Sequence, residues 1–213
     1  MLEDLHTEHS GEVLRGVLDA SSSEVLLVNP SRRMLRTLVG VFREQPPPPP
    51  VRLLADSDPL SRLTENFLTA STLADLITGG ELGVRLFETV PRHSLVVTPE
   101  TVVSVVEHDD ETAGLSTTEE SFVRATRAVY DRRWEQAEEF AVQTPPLSTL
   151  RETLGETLSE RAVADFDRIL ETTRDDSSHL DGVTTILLVA ARNGELLYDV
   201  GQWGERVGLA SKA

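Results

Sequence analysis

The 213-residue chain carries five histidines and no cysteine. Any metal or nucleophile chemistry would have to come from imidazole, carboxylate and hydroxyl groups. Disulfides, zinc–thiolate centres and cysteine nucleophiles are excluded. His6 and His9 stand three apart in "LHTEHS" and would share a face of an N-terminal helix. Two ligands nevertheless fall short of a metal site. His108 lies in an acidic turn with Asp109, Asp110 and Glu111, and His179 lies in the polar stretch "TTRDDSSHLD". Both patterns read as solvated surface, and the carboxylate run reads as a solvated loop. His93 is better placed, because it opens the apolar run "HSLVVTPETVVSVV" after Pro91-Arg92. The chain has no phosphate-binding loop, dinucleotide glycine fingerprint or Gly-x-Ser-x-Gly elbow. No catalytic residue, metal or cofactor is expected.

The stronger constellation is C-terminal. Two short apolar-periodic segments are joined by Asn193-Gly194, and the second runs into Val207-Gly208-Leu209. That is the layout of a helix-turn-helix corner. Gly208 would supply the turn at low steric cost, and Leu209 would plug the corner. Ser211 is placed to cap a following helix and reach a phosphate, and Lys212 is the chain's only lysine. Gln202 and Arg206 fall on the exposed side of the preceding helix. These four residues are the candidate DNA contacts. The alternative is a plain helical hairpin that ends a globular domain.

Several elements must position these groups. "EVLLVNPS" (24–31) reads as a buried strand stopped by Asn29-Pro30, and "SRRMLRTLVGVFRE" as a helix using Met34, Leu35, Leu38 and Phe42. "PPPPP" (46–50) reads as a stiff exposed connector, the alternative being a docking ligand for a partner. "VRLLAD" (51–56) is a second strand. A helix capped at Asp58-Pro59 follows, with the stripe Leu60, Leu63, Phe67, Ala70, Ala74 and Ile77 and a break near Ser71. Gly79-Gly80 ends it, and "VRLFETV" (84–90) is a third strand. Residues 93–110 read as a hairpin turning at Pro99-Glu100 and closed by the acidic loop 107–111. Ser116 with Glu119, or Thr117 with Glu120, fits a capping box. It opens a long helix, about 118–141, that turns Phe122, Ala125, Val129, Trp134, Ala137 and Phe140 inward.

This order predicts an α/β domain, residues 1–143, with a mainly parallel sheet and an antiparallel hairpin at one side. Thr144-Pro145-Pro146 marks the boundary to a helical domain, residues 144–213. There a short helix runs from Thr149 to Gly155. Thr157 and Glu160 box a helix over 158–173, and Asp181 caps one using Val183, Ile186, Leu187, Ala190 and Ala191. If the sheet binds a small-molecule effector, its C-terminal strand edges are the place. That makes Asn29, Asp56 and His93 the candidate ligand-binding residues.

The 36 acidic and 20 basic side chains leave a net charge of −16, with arginine almost the sole cation. That balance resembles proteins of salt-loving archaea. Carboxylates keep a surface soluble there, while a Debye length of roughly 3 Å at molar salt mutes their repulsion. Such acidity argues against indiscriminate nucleic-acid binding. The N-terminus is polar, and no apolar run nears the roughly 18–20 residues of a membrane span. A cytoplasmic protein without a membrane partner is expected.

The chain as a whole resembles the haloarchaeal TbsP-like transcription regulators. The resemblance is carried by "EVLLVNPSRRMLRTL", "HSLVVTPETVVSVV", "YDRRWEQAEEF" and "LLYDVGQWGERVGLASKA". The first three are also similar to the effector domain of TrmB-type sugar-sensing regulators, whose phospholipase D-like sheet ends in a helix with a Trp-x-x-Ala element. Here that element is Trp134-Glu135-Gln136-Ala137. The resemblance implies core packing for it. In phospholipase D-like folds a lysine follows the strand histidine by two positions; here Leu95 stands there, so catalysis at His93 is not expected. The resemblance also implies a recognition helix and β-wing beyond the corner, so the stop at Ala213 reads as a truncated, incomplete winged helix-turn-helix. The expectation is a DNA-binding transcription regulator, a homodimer on promoter DNA, with a sheet domain that senses a metabolite or mediates dimerisation. The alternative is a regulatory or dimerisation module with no nucleic-acid role.

Overall fold

Strand β2 (Val25–Val28) is buried at every position, because both of its faces are covered. In this computed structural model the described residues are 3–7, 10–42, 48–87, 93–108, 111–172, 181–194 and 197–209. They fall into two compact units. One joins Met1–Leu63 with Gly79–Ala141, and the other joins Thr64–Thr78 with Val142–Ala213.

The first unit is an eight-stranded sheet. Its strands are β1 (Glu3–Thr7), β2, β3 (Val51–Ala55), β4 (Leu82–Leu86), β5 (Ser94–Val97), β6 (Val102–His108), β7 (Glu111–Thr117) and β8 (Glu138–Glu139). They run in the order β1-β7-β6-β5-β2-β3-β4-β8. β2, β3 and β4 are parallel, with Leu27 opposite Leu53 and Leu53 opposite Val84. The remaining pairs are antiparallel. Leu26, Val28 and Leu54 pack with Val97, Val102, Val123 and Tyr130. Val25, Leu27 and Leu53 point the other way by the two-residue period of a strand, and they are buried too. Helix α1 (Ser10–Ala20) packs against α2 (Arg32–Val41) and the β6–β7 side of the sheet. Ser31 caps α2, its Oγ accepting from Met34 N–H at 3.2 Å. The 93–110 hairpin turns where the sequence places it, with Thr98 Oγ1 accepting from Glu100 and Thr101 N–H at 3.2 and 2.9 Å.

Several local expectations are corrected. His6 lies on a strand opposite Ala113, not on a helix; His9 lies outside the described residues, as do Asp109, Asp110, His179 and part of the proline run. The acidic stretch 107–111, expected as a loop, is largely strand: Glu107 and His108 end β6, and Glu111 opens β7, which lets the antiparallel side grow to four strands. The helix after β3 is two helices, α3 (Ser57–Thr64) and α4 (Phe67–Gly79), broken at Asn66 rather than near Ser71. Asn66 Oδ1 accepts from Thr69 N–H at 2.9 Å and so starts α4 afresh. α3 begins at Ser57, one residue before the expected Asp58-Pro59 cap.

Helix α5 (Glu120–Gln136) is capped by Glu119 itself. Its carboxylate accepts from Phe122 N–H at 2.7 Å and Ser121 N–H at 3.2 Å. The Ser121 hydroxyl and these two N–H donors hold the Glu119 carboxyl below its usual pKa. The buried face of α5 is Val123 and Tyr130, while Phe122 and Val129, expected inward, are exposed at 53% and 36%.

The second unit is helical: α4, α6 (Leu147–Thr157), α7 (Glu160–Thr172), α8 (Gly182–Asn193) and α9 (Leu197–Arg206). Helix α4, which sequence reasoning placed in the sheet domain, supplies Phe67 to this core beside Leu150, Leu154, Phe166, Ile186, Val189 and Trp203. It also caps α6, because Asp75 Oδ1 accepts from Ser148 N–H at 3.1 Å and from Ser148 Oγ at 2.5 Å. Ser159, rather than Thr157, caps α7 through Ala162 N–H at 3.2 Å. Asp165, nearly inaccessible on α7, takes Arg168 at 2.5 Å, Arg192 at 2.9 Å and Asn193 at 3.2 Å, tying α7 to α8. Of the residues expected inward on α8, Val183, Leu187 and Ala191 are exposed; Thr185 and Val189 are buried beside Ile186 and Ala190.

Candidate functional site

The corner at the end of the helical unit is built as the sequence requires. Asp181 starts α8, its Oδ1 accepting from Thr184 N–H at 2.7 Å. That donor, foremost, holds the Asp181 carboxyl below its usual pKa. Gly194 stops α8 at φ 70°, a left-handed conformation that glycine adopts without strain. α9 then runs to Arg206, and Gly208 turns the chain at φ 77°. Leu209 N–H donates to Gly204 O at 2.9 Å, and the Leu209 side chain packs on the helical core.

Two contacts fix this corner. A Cβ on Gly182 would lie 2.8 Å from Leu209 Cδ2 and 2.7 Å from Phe67 Cε2, so only glycine lets the α8 start approach so closely. Trp203, fully buried, donates from Nε1 to Thr153 Oγ1 at 3.1 Å and so anchors α9 to α6. Sequence reasoning missed this anchor. A signal was available, since Trp203 is the one aromatic residue in the otherwise small and polar stretch 199–206.

Gln202 and Arg206 are four residues apart on α9 and exposed, so one helix face presents an amide and a guanidinium. Both groups can donate to phosphate or to base edges. Ser211 and Lys212 lie outside the described residues.

In the sheet unit, the three candidate ligand residues sit at strand ends. Asn29 follows β2 at φ 49°. Its N–H donates to Leu54 O at 2.8 Å, and its carbonyl accepts from Ser94 Oγ at 2.7 Å. The end of β2 is thus tied to the start of β5, and the exposed His93 immediately precedes that tie. Asp56 follows β3, its Oδ1 accepting from Ser57 Oγ at 3.2 Å. It lines a cleft of about 460 Å³ with Phe87, Gln136, Ala137 and Glu138. Asn29 and His93 do not line that cleft. Leu95 is half-buried against the sheet core, so no second phosphate-holding group follows His93 there. Among the described residues no cluster of three or more His, Asp or Glu could hold a metal ion.

Trp134, from the Trp-x-x-Ala element, covers strands β3 and β4. Arg52 and Arg85 stack on its indole at 5.4 and 4.9 Å. Arg85 also donates to Trp134 O at 2.6 Å, and Arg52 pairs with Glu24 at 2.9 Å and Asp131 at 2.6 Å.

An α/β sheet unit combined with a helical unit ending in a helix-turn-helix corner defines a two-part regulator of the helix-turn-helix class. The chain belongs to the TbsP-like transcriptional regulators: residues 3–145 match the family's N-terminal domain and residues 146–213 its C-terminal HTH domain. No curated protein matches the chain. Among solved structures, TrmBL2, an archaeal chromatin protein, is 17% identical at a TM-score of 0.48, over 65% of this chain and 54% of its own. The chain therefore spans about half the length of TrmBL2. Nuc, a phospholipase D family member from Salmonella typhimurium, is 9% identical at a TM-score of 0.45, over 66% of this chain and 97% of its own. NucT from Helicobacter pylori is 12% identical at 0.46, over 66% and 99%. Among the described residues no helix is long and apolar enough to cross a membrane.

Proposed function

We propose that this chain is a cytoplasmic, non-enzymatic transcription regulator of a halophilic archaeon that binds promoter DNA as a homodimer. The observation that supports this reading best is the corner itself. Gly208 turns, Leu209 is seated on the core, and α9 is anchored by Trp203 within a segment that matches an HTH domain. Two-fold operators present half-sites one helical turn apart, which suits a pair of such corners. In our reading residues 144–213 carry the DNA contacts, through Gln202, Arg206, Ser211 and Lys212. Residues 1–143 carry dimerisation or effector sensing. Asp56 is the effector contact with the most support, because it lines a cleft; Asn29 and His93 are offered as neighbours at the same sheet edge.

Fluorescence anisotropy with labelled promoter DNA in high-potassium buffer tests the reading. Arg206→Ala is expected to weaken binding and, if Arg206 contacts a phosphate, to lower the salt slope by about 1. Unchanged affinity and slope would remove Arg206 from the interface. The net charge of −16 favours a second reading, a regulatory module without DNA affinity. It predicts no salt-dependent binding to any duplex.

A further inference from the structure

Between Glu24 and Glu44 the chain has no acidic side chain, yet it carries Arg32, Arg33, Arg36 and Arg43. The sign of the charge is thus reversed locally in a chain of net charge −16. Arg32, Arg33 and Arg36 are exposed on helix α2. At roughly 3.6 residues per turn they span about 100° of the helix surface, on the side away from the buried Met34, Leu35 and Leu38. Among the described residues none of the three has a carboxylate partner, whereas Arg52, Arg85, Arg124, Arg151, Arg168 and Arg192 all do. They also stand at the unfavourable end of their helix. The partial positive charge of a helix N-terminus favours acidic side chains in the first turn. α2 has none there, and Arg32 and Arg33 open it. Glu107 does reach this end, but it accepts from the Ser31 hydroxyl at 2.9 Å. An anion docked at this end turns both unfavourable terms around, because the dipole and the guanidinium groups attract it together.

We propose that the α2 arginines are a second phosphate-contacting surface, carried by the sheet unit, and that their partner is the backbone of duplex DNA. The proposal rests on the DNA-binding reading above and adds contacts outside the helical unit. The shape of the surface fits a polyanion rather than a small effector. Effector sites are concave, whereas these arginines stand on the outward side of a helix and line neither cleft. Arg32 and Arg36 start about 6 Å apart along the α2 axis, at about 1.5 Å per residue. A duplex strand offers a phosphate about every 3.4 Å of its axis. Neighbouring guanidinium groups can therefore meet successive phosphates, each as a bidentate pair. Such contacts position a duplex without reading its sequence.

The test is fluorescence anisotropy of the full chain with a labelled duplex of mixed sequence, titrated at several potassium chloride concentrations. The triple variant Arg32→Gln/Arg33→Gln/Arg36→Gln is expected to flatten the plot of log affinity against log salt by about 2–3, at about 0.9 per phosphate contact. The triple variant Arg32→Lys/Arg33→Lys/Arg36→Lys should keep the wild-type slope, since the charges remain. Arg132→Gln, which removes an exposed charge on α5, should also leave the slope unchanged. A wild-type slope in the glutamine variant would overturn this surface and leave the DNA reading standing. So would a slope that falls as much per charge in Arg132→Gln, because net charge alone would then explain the loss. Self-association that weakens in the glutamine variant, read by light scattering, while its DNA affinity holds would assign the arginines to a second copy instead. A wild type that binds no duplex at any salt would overturn the DNA reading and this surface together. A flattened slope in the glutamine variant beside an unaffected Arg206→Ala would retain this surface and remove the corner contact.

Discussion

Trp134 lies directly over Gly83: a Cβ on residue 83 would come within 2.9 Å of Cη2 and 3.0 Å of Cζ2 of the indole. The ring is also held between Arg52 and Arg85, so it has little room to slide. Gly83→Ala is expected to destabilise the sheet unit by about 1–3 kcal/mol through overpacking. Denaturant unfolding checks the magnitude. A changed Trp134 emission, read in a Trp203→Phe background, would place the strain at the indole; an unaltered spectrum and midpoint would show that the ring gives way freely.

The helical unit has its own close contact. Gly182→Ala would push a methyl against Phe67 and Leu209, and the expected loss is again about 1–3 kcal/mol. Because Leu209 seats the corner, the same substitution should weaken any DNA affinity more than its effect on folding explains. Affinity measured well below the melting midpoint separates the two effects.

Thr153→Val leaves the Trp203 indole N–H buried without its acceptor, which is expected to destabilise by roughly 1–3 kcal/mol. Combined with Trp203→Phe, which removes the donor, the losses should be less than additive. Strict additivity in a double-mutant cycle would mean that the 3.1 Å hydrogen bond contributes little.

Asp181 links stability to pH. Its carboxyl is held below its usual value by the Thr184 N–H. A depressed folded pKa gives stability that is present above the unfolded value, about 3.9, and lost as pH falls through the folded one. Asn caps a helix comparably but does not titrate. Wild type and Asp181→Asn should therefore differ little at neutral pH, and wild type should lose stability relative to the variant as the pH falls below about 4. A pH-independent difference between the two melting curves would show that the charge of Asp181 is not involved.

The parallel strands, the 93–110 hairpin and the α8–α9 corner were legible because their signals are local: short apolar runs, Pro and Gly stops, a capping aspartate. What escaped the sequence depends on remote partners. "ETAGLST" has the weak, mixed pattern of a loop and becomes strand β7 because β6 and β1 offer it edges on both sides. The α5 stripe at Phe122 and Val129 is periodic, but periodicity cannot say which side of a helix meets the sheet; Val123 and Tyr130 do. Phe67 looks like part of one long helix until Asn66 is seen to cap a new one. Of the candidate site residues, Gln202 and Arg206 share an exposed helix face as expected from spacing, and Asp56 lines a cleft. Asn29 and His93 lie near one another, joined through Ser94, yet outside it.

The placement of α4 has a consequence for how the protein is made. Phe67 leaves the ribosome about 80 residues before Leu147, the first residue of α6, can join it in the helical core. At roughly 5–20 residues per second, that is on the order of 4–16 s of synthesis. For that interval an apolar helix has been produced without the neighbours that will cover it, while the strands on either side of it in the chain are free to pair. The helical unit is therefore finished from both ends of the message, and no cut near residue 145 yields a C-terminal fragment with its whole core.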